Sequence, residues 1–86
     1  MNKRIQFTPK ARKNLEKLDF KIQRRILSKL YWFMEQADPL FFARFLRDPE
    51  MGGFRFRIGH YRVIFDVAGG DILVHSVGHR SEIYRK

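Results

Sequence analysis

The chain contains no cysteine. That absence excludes a disulfide framework and a thiolate metal site. No apolar run approaches the roughly 18 residues a membrane-spanning helix requires. The opening Met1-Asn2-Lys3-Arg4-Ile5-Gln6-Phe7 has none of the apolar stretch of a signal peptide. We therefore expect a cytoplasmic protein with no membrane partner. Histidine is sparse, at His60, His75 and His79, with no close ligand spacing and no carboxylate cluster beside it. Neither a metal nor another cofactor is expected. Internal repeats and low-complexity tracts are also missing. Negative charge is scarce, with nine Asp and Glu against eighteen Lys and Arg. Lysine itself disappears part-way along: between Leu30 and Arg85 every basic residue is arginine.

What remains is enough for one domain over residues 1–86, with no room for two cores. Hydrophobic residues make up 44% and nine are Phe, so a packed interior is expected and not a disordered tail. A formal charge of +9 predicts affinity for a polyanion or for an acidic protein. The change of basic residue sharpens this. Lysine is a hydrated point charge, whereas arginine forks onto phosphate oxygens and stacks on bases. The N-terminal half therefore suits a general electrostatic surface, and the C-terminal half suits specific contacts.

Ile5 and Phe7 alternate with polar neighbours and predict a first strand. Thr8-Pro9 opens a helix, with Thr as N-cap and Pro where a missing N–H costs nothing. Ala11, Leu15 and Leu18 follow at helical spacing. Asp19 can cap a longer helix striped by Ile22, Ile26, Leu27, Leu30, Phe33 and Met34, which Asp38-Pro39 ends. Residues 40–46 read as a further helical turn, and Asp48-Pro49 and Gly52-Gly53 as loop. Strands are expected at about 54–59, 61–67 and 71–77, with Ala68-Gly69-Gly70 turning the last pair. The fold class is α+β: an N-terminal strand and two helices packed on one face of an antiparallel sheet.

The most informative stretch is Phe54-Arg55-Phe56-Arg57-Ile58-Gly59-His60-Tyr61-Arg62-Val63-Ile64-Phe65. Period-two alternation puts its apolar side chains on one face and Arg55, Arg57 and Arg62 on the other, offered to solvent. A phosphate chain is the leading ligand for such a face. The tail, through His79, Arg80 and Tyr84, can fold back toward it. Cleavage of RNA by its own 2′-hydroxyl needs a base, an acid and cations that stabilise the phosphorane-like transition state. Arginine serves the last role but is a poor proton carrier. His79 could be the acid or base, and Tyr84 could donate a proton or stack on a base. Glu82 is a lesser candidate base, or a partner for a nearby arginine. His60 falls in a hairpin turn with no expected role, and His75 within a strand is expected to pack or hydrogen-bond.

Lys10, Lys13, Lys17, Lys21, Arg24, Arg25 and Lys29 crowd the helices. They fit either a solvated face or a surface for a large polyanion. The Trp32-Phe33 and Leu40-Phe41-Phe42 clusters are expected mainly in the core, with part of them able to form a groove for a partner segment.

The order of elements resembles the RelE/ParE toxin superfamily across essentially the whole chain. The same is true of the Tyr-Arg-Val pattern at 61–63 and the ending Val77-Gly78-His79-Arg80-Ser81-Glu82-Ile83-Tyr84. The resemblance implies a RelE-like fold of the microbial ribonuclease type and a role as toxin of a toxin–antitoxin module. It also implies a co-expressed antitoxin, expected to be acidic and partly disordered. In the RelE branch it further implies metal-independent cleavage of mRNA in the ribosomal A site, with mRNA and ribosomal RNA on the 70S ribosome as partners. Carried over by position, the catalytic set is Arg55, Arg57, Arg62, Arg80 and Tyr84. Arginine stands where some relatives have lysine, which moves proton transfer toward His79. Two other readings stay open: a ParE-like inhibitor that binds DNA gyrase, and an inactive RNA- or antitoxin-binding relative.

Overall fold

The computed structural model describes residues 4–48 and 50–84. In chain order it has strand β1 (Ile5–Phe7), helices α1 (Pro9–Glu16) and α2 (Phe20–Glu35), and a 3₁₀ turn (Pro39–Phe42). Strands β2 (Ala43–Phe45), β3 (Phe54–Ile58), β4 (Tyr61–Ala68) and β5 (Asp71–His79) follow, then a single helical turn, α3 (Arg80–Ile83). Both expected caps form. Thr8 Oγ1 accepts the Ala11 N–H at 3.1 Å and donates to the His75 carbonyl at 3.2 Å, tying α1 to β5. Asp19 accepts the Lys21 N–H at 2.9 Å at the start of α2. Gly59, Gly69 and Gly70 take positive φ in the two hairpin turns, where a side chain would be strained.

The α+β layering is as expected, but the sheet is mixed. Its order is β1-β5-β4-β3-β2, and β1 joins β5 in parallel, Ile5 beside Ile72 and Phe7 beside Val74. The two helices carry the chain from β1 to β2 at the far edge, and the antiparallel meander from β2 to β5 then brings β5 alongside β1 in parallel. The other pairings are antiparallel. Residues 40–46 also depart from expectation. Only Pro39–Phe42 is helical, and Ala43–Phe45 is a strand paired with β3. The Asp38-Pro39 punctuation ends α2 as predicted, yet the apolar run after it alternates and so can extend a sheet.

Ala11 of α1 and Ile26, Leu30 and Phe33 of α2 pack on Phe56, Ile58, Val63, Phe65, Val74 and Val77. The rings of Phe33, Phe56 and Phe65 stack in sequence, with centroids 4.2 and 4.4 Å apart. Of the clusters expected mainly in the core, only Phe33 is buried. Trp32 of α2 and Leu40, Phe41 and Phe42 of the 3₁₀ turn are all more than a third exposed, with the Phe42 ring against Trp32 and Phe33 at 5.2 and 5.4 Å. Phe45, on edge strand β2, is exposed as well. Among the described residues no helix is long and apolar enough to cross a membrane.

Candidate functional site

Pairing register turns the arginine alternation into two rows on the face away from α1 and α2. Arg57 lies directly opposite Arg62, and Arg62 opposite Gly78. One row over, Arg44 lies opposite Arg55. Directly opposed like charges destabilise a sheet, so the fold holds this arrangement against its electrostatics. Arg44 was not foreseen as a member. Its signal was present in Ala43-Arg44-Phe45, which alternates like the following strand, but the segment was assigned to a helical turn.

Depth separates the arginines. Arg57 is exposed and Arg55 partly covered, whereas Arg62 retains only 7% of its accessible surface. The expectation that all three face solvent fails for Arg62, because α3 folds over its end of the sheet. Arg62 Nη1 donates to the carbonyls of Gly59 (3.0 Å) and Tyr61 (2.9 Å), which fixes the side chain beneath the hairpin turn. Its Nε is buried and has no hydrogen-bond partner. Burial, and then the positive charge of Arg55, push the Arg62 guanidinium below its ordinary pKa. Arg57 and Arg80 act in the same direction, and Tyr84 opposes them. A bound anion would relieve both the desolvation and the repulsion, and Nε is a donor left to receive it.

Gly78 makes room for α3. A Cβ at that position would stand 3.3 Å from Ile83 Cδ1, so the open backbone seats Ile83. The Arg80 N–H donates to the His60 carbonyl at 2.7 Å. Tyr84, just past the turn, accepts a 2.7 Å hydrogen bond from Arg55 Nη1 through its hydroxyl oxygen. The structure thus brings Arg55, Arg57, Arg62, Arg80 and Tyr84 into one electrostatic neighbourhood.

His79 is placed differently. It pairs with Tyr61 across β4 and β5, their rings edge to face at 5.4 Å. Alternation from Val77 gives it the helix-side face. Its Nδ1 accepts the Ser81 N–H at 3.1 Å and lies 2.7 Å from Ser81 Oγ.

A cleft of about 920 Å³ runs beside Tyr84, bounded by Lys10, Arg47, Asp66, His75, Ser76 and Glu82 among others. His75 Nε2 lies 2.6 Å from Asp66 Oδ2, and Asp66 Oδ1 accepts the Gly53 N–H at 2.7 Å, so His75 is a hydrogen-bonded strand residue as expected. Lys10, Lys13, Lys17, Lys21, Arg24 and Arg25 are all exposed. Lys10 reaches the cleft, Arg24 lies over the Phe20 ring, and Arg25 covers Gly59 at the turn that carries Arg62. Among the described residues no three His, Asp or Glu side chains gather as a metal group.

The model of one family, the ParE toxin of the type II toxin–antitoxin system parDE, matches residues 5–84. The chain belongs to this toxin family. No curated protein sequence matches it. Solved structures agree with the ParE-family assignment at the level of fold. The RelBE2 toxin–antitoxin complex of Mycobacterium tuberculosis contains a chain 25% identical with a TM-score of 0.79, covering 93% of this chain and 100% of that one. A RelE–RelB complex from Pyrococcus horikoshii is similar at 24% identity and TM-score 0.71, over 95% and 99% of the two chains. A RelB–RelE complex from Methanococcus jannaschii follows at 22% and 0.69, over 92% and 94%.

Proposed function

We propose that this ParE-family toxin is a ribosome-dependent endoribonuclease that cleaves mRNA in the A site. The observation that carries the reading is the buried Arg62 with its free Nε, beneath an Arg55–Tyr84 hydrogen bond on an arginine-lined face. The substrate 2′-hydroxyl attacks the adjacent phosphorus, its proton passing to solvent water. The bond from phosphorus to the 5′-oxygen breaks, leaving a cyclic phosphate on one fragment. Arg62, Arg55, Arg57 and Arg80 stabilise the charge that develops on the phosphoryl oxygens, the task a metal performs in other nucleases. Tyr84 gives its hydroxyl proton to the departing 5′-oxygen. Arg55 occupies the phenol oxygen, so the phenolic hydrogen is free to point outward. Arg44 extends the cationic track, and the lysine-rich helices add sequence-independent grip on ribosomal RNA.

In a translating extract, end-mapping of messages should show cuts with wild-type protein and none with an Arg80→Ala, Tyr84→Ala variant. Equal message integrity with both proteins would sink the reading. A second reading rests on the family match itself, whose model is that of ParE: the chain inhibits DNA gyrase by binding it. Loss of supercoiling with purified gyrase, at concentrations that leave translation untouched, would establish that alternative.

The partner in either case is a cognate antitoxin, acidic and partly disordered, as the +9 charge and the RelB-bound neighbours suggest. Phe41 and Phe45 stand exposed beside edge strand β2, an arrangement suited to an added strand or helix. Mixing the toxin with the product of its neighbouring gene should raise its melting temperature, and the rise should grow with the logarithm of the free antitoxin concentration. An unchanged melt would remove the antitoxin from the account.

A further inference from the structure

We propose that His79 is a positioning residue: its neutral imidazole caps α3 through Nδ1 and so sets Arg80 and Tyr84 against Arg55. It transfers no proton to or from the substrate. The activity arm of this proposal rests on the ribonuclease reading; the structural arm does not.

The assignment follows from one donor that cannot be anything else. The Ser81 N–H can only donate, and it points at His79 Nδ1 at 3.1 Å. Nδ1 must therefore present a lone pair, which places the ring proton on Nε2. The Ser81 hydroxyl, 2.7 Å from the same nitrogen, donates to it too. A nitrogen already receiving two donors is not free to take a 2′-hydroxyl proton. Protonating it would set N–H against N–H and break the cap. The other nitrogen lies with the ring on the helix-side face, against Tyr61 and 6.0 Å from the His60 ring. Arg62 is on the opposite face.

The cap matters because α3 is one turn long. A four-residue helix does not hold itself together, since nucleation costs more than its few hydrogen bonds return. Four contacts hold it here: the His79 cap, Arg80 N–H to the His60 carbonyl, Ile83 seated on Gly78, and Tyr84 to Arg55. Two of those four depend on the backbone direction at residues 79–81, where His79 takes the extended conformation of a capping residue. Arg80 opens the turn and Tyr84 follows it, so its position is theirs.

Asparagine is a stronger cap than histidine but cannot carry a proton at neutral pH. His79→Ala should lower message cleavage about tenfold and remove the hydrogen-exchange protection of the Ser81 amide, while His79→Asn restores most of both. Nitrogen shifts of the wild-type imidazole should report an acceptor Nδ1 and a protonated Nε2. A His79→Asn variant as inactive as Arg80→Ala, with Ser81 still protected, would show proton transfer by His79 and overturn the proposal. A protonated Nδ1, or full Ser81 protection in His79→Ala, would overturn it equally. If wild type cleaves no message, the ribonuclease reading fails, and the Ser81 and imidazole measurements still decide the role of His79.

Discussion

Under the proposed ribonuclease function, Arg62→Lys should lower the rate of message cleavage by about 10²–10³-fold while the protein still folds. Arg62 does two things with one planar group. Nη1 grips the Gly59 and Tyr61 carbonyls of the hairpin turn, and Nε stays free in a nearly dry setting. An ammonium is a point charge without that fork, so a lysine can reach the carbonyls or the substrate but not both. The burial that depresses the guanidinium's pKa also strengthens its attraction to a phosphoryl group, since little water reaches it to screen the charge. Lysine keeps the charge and most of the stem packing, which limits the effect on folding. Removing the side chain altogether would leave two turn carbonyls unpaired, at about 1–3 kcal/mol each if they stay dry. Single-turnover cleavage on programmed ribosomes, with thermal melts as the control, checks the expectation. A lysine variant that cuts at the wild-type rate would mean the phosphate does not sit on Arg62.

The largest expected loss of stability lies one residue from two of the arginines. Phe56 is fully buried, with the Phe33 and Phe65 rings stacked on it at 4.2 and 4.4 Å. Phe56→Ala should cost about 3–5 kcal/mol through lost burial and the cavity left behind. For a domain of this size that is a fall of roughly 12–40 °C in melting temperature, at about 4–8 °C per kcal/mol. Phe56→Leu, which fills much of the space, should cost far less. Circular-dichroism melts of the two variants would show the difference, and a drop below about 5 °C for the alanine variant would contradict the stacking account. Function should fail with stability here. Phe56 is the pin that keeps β3 in register, and a one-residue slip would send Arg55 and Arg57 to the core side.

Much of the fold was legible because its determinants are local. Thr8 and Asp19 cap the residues just after them, the stripe of α2 repeats within one helix, and the glycines turn adjacent strands. What stayed hidden depends on what comes to lie across from a residue. Ile5 and Phe7 announce a strand but carry no mark of direction, which is set only when β5 arrives beside them at the end of the meander. Alternation assigns Arg62 to a face but not to a depth; Gly78 and α3, far along the chain, bury it. Trp32 and Phe41 look like core by composition, yet Trp32 falls outside the buried stripe of α2 and Phe41 is exposed on the 3₁₀ turn. The same gap explains Arg44, which joins the site only through pairing with Arg55. His79 was recognised as belonging to the site's chemistry from its residue type, but its orientation toward Ser81 is a property of one turn's geometry.

The parallel pairing of β1 with β5 has a consequence for how the protein is made. Arg4 and Thr8 find their partners 67 residues later, at Asp71 and His75. On a ribosome adding about 5–20 residues per second, β1 waits several seconds with its edge unmatched. The sheet cannot close until β5 has emerged. Arg80 and Tyr84 follow β5, so a nascent chain carries its arginine strands for some time before it has the helix that completes the site. A fragment released before β5 therefore lacks both the closed sheet and the helical turn that carries Arg80 and leads to Tyr84.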